Sequence, residues 1–210
     1  MLALKALTTF FVVSVATAQP VVVAALGDSL TAGYGLPQEE GFVPVLQGWL
    51  SEQGAEVELR NAGVSGDTTA GGLSRVEWTL TEDVDALIVE LGGNDMLRGV
   101  DPAASRGNLD GILKAAEARD LPVLLVGLAA SGNFGPDYKA AFDAMYPELA
   151  ETYGTLLYPD FFAVLTGRED QAAARRELMQ GDGIHPSAEG VRLIVQDIGP
   201  RVLELIERVE

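Results

Sequence analysis

Cysteine is absent from the 210 residues, which excludes disulfide staples, thiol nucleophiles and cysteine-based metal sites. The fold must rest on its core alone. Histidine occurs once, at position 185, so any acid–base chemistry that needs imidazole passes through that residue. Cations are scarce: 14 Lys and Arg stand against 31 Asp and Glu, for a net charge of −17. Long-range repulsion from so much acid disfavours nucleic acid and anionic membrane surfaces as partners. It equally suits a well-solvated surface in salty surroundings. No linker, internal repeat or low-complexity tract divides the chain, and for this length one domain is the default.

What is present begins with "MLALKALTTFFVVSVATAQP". A short start with one cation, Lys5, leads into an apolar run from Ala6 to Val15 and then the small-x-small triplet Ala16-Thr17-Ala18. That is the pattern of a secretory signal cleaved before Gln19. The run is well short of the ~20 apolar residues of a spanning helix, so a retained anchor is the weaker reading. The expectation is a signal over 1–18, an exported (periplasmic or secreted) domain over 19–210, and no stable membrane insertion after cleavage. Losing Lys5 takes the net charge from −17 to −18.

The remaining chain is rich in short apolar runs, in a protein that is 48% hydrophobic. Strands are predicted at Pro20 to Leu26, Ala55 to Asn61, Val84 to Leu91, Pro122 to Leu128 and Gly154 to Pro159. Their continuous apolar, β-branched composition suits a parallel sheet buried on both faces. Between them lie helical patterns near Gly41–Gln53, Thr68–Leu80, Pro102–Arg119 and Asp137–Tyr153. A last helix, Ala188 to Val209, carries Val191, Ile194, Val195 and Ile198 on one stripe, with Gly199-Pro200 expected to kink or interrupt it. Strict alternation predicts an α/β sandwich with right-handed crossovers. Ligands in such folds bind beyond the carboxyl ends of the strands.

The loops there combine Gly with small polar residues: "GDSLTAGYG", "NAGVSGDT", "GGNDMLRG" and, before the last helix, "DGIHPS". Ser29 follows the first strand and is either a nucleophile or a helix N-cap, for which serine is favoured. As a nucleophile it needs a base, and His185 is the only imidazole. Pro186 biases His185 away from helical geometry, and Asp182 is near enough in sequence to orient the ring. Alone, His185 would be read as a solvated loop residue. An oxyanion needs aimed donors, for which the Ser29 N–H, the Gly63 N–H and the Asn94 side-chain amide are the candidates. Asn94 is otherwise a turn residue. Asp28 and Asp95 are expected to cap helices or brace loops, and either is a rival partner for His185.

These four blocks, "GDSL" at Gly27–Leu30, the Gly63 loop, "GGND" at Gly92–Asp95 and "DGIHP" at Asp182–Pro186, resemble those of the SGNH (GDSL) hydrolases, in order and spacing. The resemblance implies a flavodoxin-like three-layer α/β/α sandwich with five parallel strands in the order 2-1-3-4-5. It also implies Ser29 as nucleophile, Asp182 and His185 completing a triad, and Ser29, Gly63 and Asn94 forming the oxyanion hole. "VELGGNDMLRG" and "NAGVSGDTTAGGLSR" are similar to bacterial exported arylesterases, acyl thioesterases and lysophospholipases, in which the loop here running from Asp95 to Asp101 is implied to move over the acyl chain. The implied activity is ester hydrolysis with no metal or organic cofactor. With no lipid-binding insertion, the pocket is expected to be shallow and to favour short to medium acyl groups. The acidic surface should steer polyanionic acyl-CoA away in favour of neutral aryl or alkyl esters. The alternatives are carbohydrate or peptidoglycan O-deacetylation and a non-catalytic flavodoxin-like binding module.

Overall fold

Five short apolar runs pair into one parallel sheet in the computed structural model of the protein, which describes residues 19–167 and 170–209. In chain order the elements are β1 (Val21–Gly27), α1 (Ser29–Ala32), α2 (Phe42–Glu52), β2 (Val57–Gly63), α3 (Thr69–Thr79), β3 (Ala86–Glu90), α4 (Gly93–Arg98) and α5 (Pro102–Glu117). Then follow β4 (Val123–Val126), α6 (Pro136–Tyr153), β5 (Leu156–Tyr158), α7 (Ala163–Thr166), α8 (Gln171–Leu178) and α9 (Ala188–Ile206). The strand order is β2-β1-β3-β4-β5, as the four blocks imply. The anticipated signal, residues 1–18, lies outside the described residues.

Helix starts follow local chemistry. Thr68 accepts the Gly71 N–H to cap α3, Asp101 accepts the Ala103 N–H with Pro102 in the first turn of α5, and Ser187 accepts the Gly190 N–H to cap α9. The central strands β1 and β3 are buried along almost their full length. Each Leu, Ile or Val enclosed there contributes roughly 1.5–3 kcal/mol of burial. Edge strand β2 is more exposed, with Val57 its one buried residue, so it does not match the fully buried pattern.

Two further features depart from the sequence reading. The last helix runs uninterrupted through Gly199-Pro200. Gly199 serves packing instead: a Cβ there would come 2.6 Å from the Trp49 ring, so glycine lets α9 close on α2. The second departure is the pair α7 and α8, which no helical pattern announced. One turn and two turns respectively are too short to show a period.

At the carboxyl end of the sheet, Gly27 is in register with Gly63 on one side and Glu90 on the other. Here the strand order reverses from leftward to rightward winding, opening the crevice in which such folds hold ligands.

Candidate active site

Ser29 opens α1 immediately after the Gly27-Asp28 turn. A Cβ on Gly27 would overlap the Thr31 hydroxyl, so the turn requires glycine. Asp28, not Ser29, caps the helix, accepting the Leu30 N–H at 3.0 Å. The Ser29 hydroxyl is therefore released from capping, and its Oγ lies 2.9 Å from His185 Nε2. His185 Nδ1 lies 2.7 Å from Asp182 Oδ2. Asp182 Oδ1 also accepts the backbone N–H groups of Ile184 and His185, at 2.9 and 3.1 Å. The hydrogen bond from His185, followed by that from Ile184, holds the Asp182 carboxyl down to about 2.

The His185 loop is tied at both ends. Gln180 N donates to the His185 carbonyl at 2.8 Å, and the Gln180 side-chain amide donates to the carbonyls of Pro186 and Tyr34. The Tyr34 ring packs on the imidazole with centroids 4.7 Å apart. Pro186 bridges Met179, and α9 starts beyond it. The ring thus stands outside the helix, which was the reading from Pro186. The structure brings Ser29, His185 and Asp182 into one hydrogen-bonded line although Ser29 and His185 are 156 positions apart.

Asn94 sits in the first turn of α4. Its Nδ2 donates to Asp28 Oδ2 at 3.1 Å, and its Oδ1 accepts from Arg98 at 3.3 Å. Asn94 lines the same cleft as Ser29 and His185. Gly63 does not, and here the sequence reading needs correction. The Gly63 N–H is donated to Asn61 Oδ1 at 2.9 Å. A Cβ on Gly63 would come 2.3 Å from Ala32 N, so this glycine exists to let α1 lie on the end of β2. The cleft is lined instead by Gly66, three residues on in the same loop, at φ +89°. Neither Ser29 N–H nor Gly66 N–H meets an acceptor among the described residues.

Asp28 and Asp95 brace the loops. Asp95 is fully buried and accepts from Thr69 N, Thr69 Oγ1 and Ser105 Oγ at 2.6–2.9 Å. Asp28 is 1% exposed, and its carboxyl is raised by burial, opposed by the hydrogen bonds from Leu30 and Asn94. Behind it Glu90 is also fully buried, accepting from Thr31 Oγ1 at 2.9 Å. Burial first, and then the neighbouring Asp28 charge, push Glu90 well above its ordinary value. Glu90 was not singled out in the sequence; its place at the carboxyl end of the central strand was the available signal.

The cleft holds about 850 Å³. Met96 and Leu97 of α4 face Leu165 of α7 and Met179 after α8, with Leu128 and Ile184 nearby. The unannounced helices thus build one wall of it. Among the described residues no cluster of three His, Asp or Glu side chains could hold a metal ion, and no helix is long and apolar enough to cross a membrane.

Comparison with known proteins agrees with this architecture. Residues 25–193 match the GDSL-like lipase/acylhydrolase family. The chain is 38% identical over 192 residues to esterase TesA of Pseudomonas aeruginosa, covering 91% of each chain. It is 32% identical to an arylesterase of Vibrio mimicus, covering 97% of this chain and 99% of that one. The crystal structure of AlinE4, an SGNH-hydrolase family esterase, superposes with a TM-score of 0.73 at 42% identity, covering 90% of this chain and 98% of that one. With the four blocks in order on the matching sheet, the chain belongs to the GDSL-like lipase/acylhydrolase family.

Proposed function

We propose that this protein is a serine esterase that cleaves carboxylic esters of short to medium acyl chains through an acyl-enzyme on Ser29. The observation that carries the reading is the line from Ser29 Oγ through the imidazole to Asp182, with distances of 2.9 and 2.7 Å, opening on an apolar cleft. The esterase names of the relatives support it.

His185 Nε2 takes the Ser29 proton as Oγ attacks the ester carbonyl, and the C=O electron pair moves onto oxygen. Asp182, ionised at neutral pH, keeps Nδ1 protonated and stabilises the imidazolium. The oxyanion receives the Ser29 N–H, the second Asn94 Nδ2 hydrogen and the Gly66 N–H, which takes the part first given to Gly63. As the tetrahedral intermediate collapses, the C–O bond to the leaving alcohol breaks and His185⁺ protonates that oxygen. Water then attacks the acyl-Ser29 ester with His185 as base, releasing the acid and restoring the serine. The protein acts after export, with residues 1–18 removed.

A serine-directed aryl phosphonate tests the reading. It should add its phosphonyl mass to Ser29 alone and abolish hydrolysis of 4-nitrophenyl esters. Labelling elsewhere, or full activity of the labelled protein, would falsify it. An intact mass of the exported protein that begins at Gln19 supports the processing step, and one retaining Met1 removes it. Comparing kcat/KM for neutral aryl esters with that for acyl-CoA at low salt tests the steering by acidity: faster CoA thioester turnover removes it.

A further inference from the structure

Arg98, at the end of α4, is exposed but occupied at the site. One guanidinium nitrogen donates to the Gly66 carbonyl at 2.9 Å and to Asn94 Oδ1 at 3.3 Å. Most described cations of this acidic chain pair with a carboxylate, but Arg98 pairs with none of the described ones. Its hydrogen bonds go instead to two neutral groups that flank the cleft.

The chemistry of a carboxamide gives that placement a purpose. Asn94 can turn by 180°, which would aim its oxygen, rather than its NH₂, at a developing oxyanion. Arg98 on Oδ1 and Asp28 on Nδ2 both favour the orientation that leaves a hydrogen for the oxyanion. The Gly66 bond tethers the second loop to the same guanidinium. A cation on the amide oxygen also polarises the amide and strengthens its N–H as a donor.

We infer that Arg98 is a positioning residue for the oxyanion hole, holding the Asn94 carboxamide in its donating orientation and the Gly66 loop beside it. The inference rests on the serine-esterase reading and names a part of the site outside the four blocks. A hole donor is worth about 10²–10³ in kcat, and a donor left free to rotate loses part of that.

Arg98→Met, which keeps the aliphatic stem, should lower kcat about 10- to 100-fold, with KM nearly unchanged. Phosphonylation of Ser29 should slow by the same factor, since the phosphoryl oxygen occupies the same hole. Arg98→Ala should recover part of its kcat in millimolar guanidinium but not in equimolar tetramethylammonium, and Arg98→Lys should fall between Met and wild type. Wild-type kcat in Arg98→Met overturns the inference. So does a loss confined to KM, or a kcat loss that guanidinium leaves untouched while the melting temperature falls. Full activity in Asn94→Ala would instead remove the hole assignment itself, a result that Arg98 variants alone do not produce.

Discussion

Asp182 lies in the open His185 loop with its side chain 37% exposed, whereas Asp28 and Glu90 are sealed in the core behind the Ser29 turn. The groups are all carboxyls, and the surroundings reverse their behaviour. Asp182 accepts three hydrogen bonds from the ring and backbone of its own loop, so it is held charged. Glu90 has one oxygen without a hydrogen-bond partner among the described residues and a second carboxyl beside it, so burial and repulsion favour its protonated form. A carboxylate meant to support an imidazolium must stay ionised, and solvent together with N–H donors keeps it so. A carboxyl enclosed beneath a nucleophile can only brace. The region that reacts is open to solvent, and the region that holds it is closed, with both of its carboxyls raised by burial.

The strongest way to break this comparison is to cut the open region at its centre. His185→Ala should lower kcat about 10⁶-fold if the line acts as a unit, read with an aryl ester on the purified protein. Asp182→Asn keeps the shape and removes the charge; the expected loss is about 10³- to 10⁴-fold. Asp28→Asn should cost about tenfold or less, because asparagine still caps the Leu30 N–H while Asn94 loses its carboxylate partner. Should Asp28→Asn prove worse than Asp182→Asn, the orienting role belongs to the buried carboxyl and the comparison fails.

Glu90→Gln sharpens the contrast with the smallest effect on rate. The amide preserves an acceptor for Thr31, so kcat should be nearly unchanged. Stability should respond to pH. A carboxyl raised in the fold contributes fully below its unfolded value, near 4.5, and that contribution is lost as pH rises through the raised folded value. Urea unfolding of the wild-type protein should therefore weaken from mildly acidic toward alkaline pH. Glu90→Gln should flatten that slope, and a slope identical in both proteins would show that Glu90 is ionised in the fold.

The strands and most helices were legible because each carries its own periodic or continuous apolar signal, and the α2, α3, α5 and α6 helices appear within a few residues of their predicted bounds. The motif loops could be placed because glycine and proline mark where strands end. The choice between Gly63 and Gly66 was not legible. Both lie in "NAGVSGDT", and only the approach of α1 to Gly63 shows which glycine is packing and which faces the cleft. The α7–α8 wall escaped because a helix of one or two turns has no period to read.

The linear order of residues settles the alternation of strand and helix, the single imidazole, and the hydroxyl and carboxyl candidates around it, since these depend on local composition and spacing. Folding settles which backbone N–H groups face the cleft and which carboxyls carry charge. Those properties follow from desolvation and close contact between segments far apart in the chain, as when Glu90 meets Thr31 across 59 positions, and no local stretch encodes such a meeting.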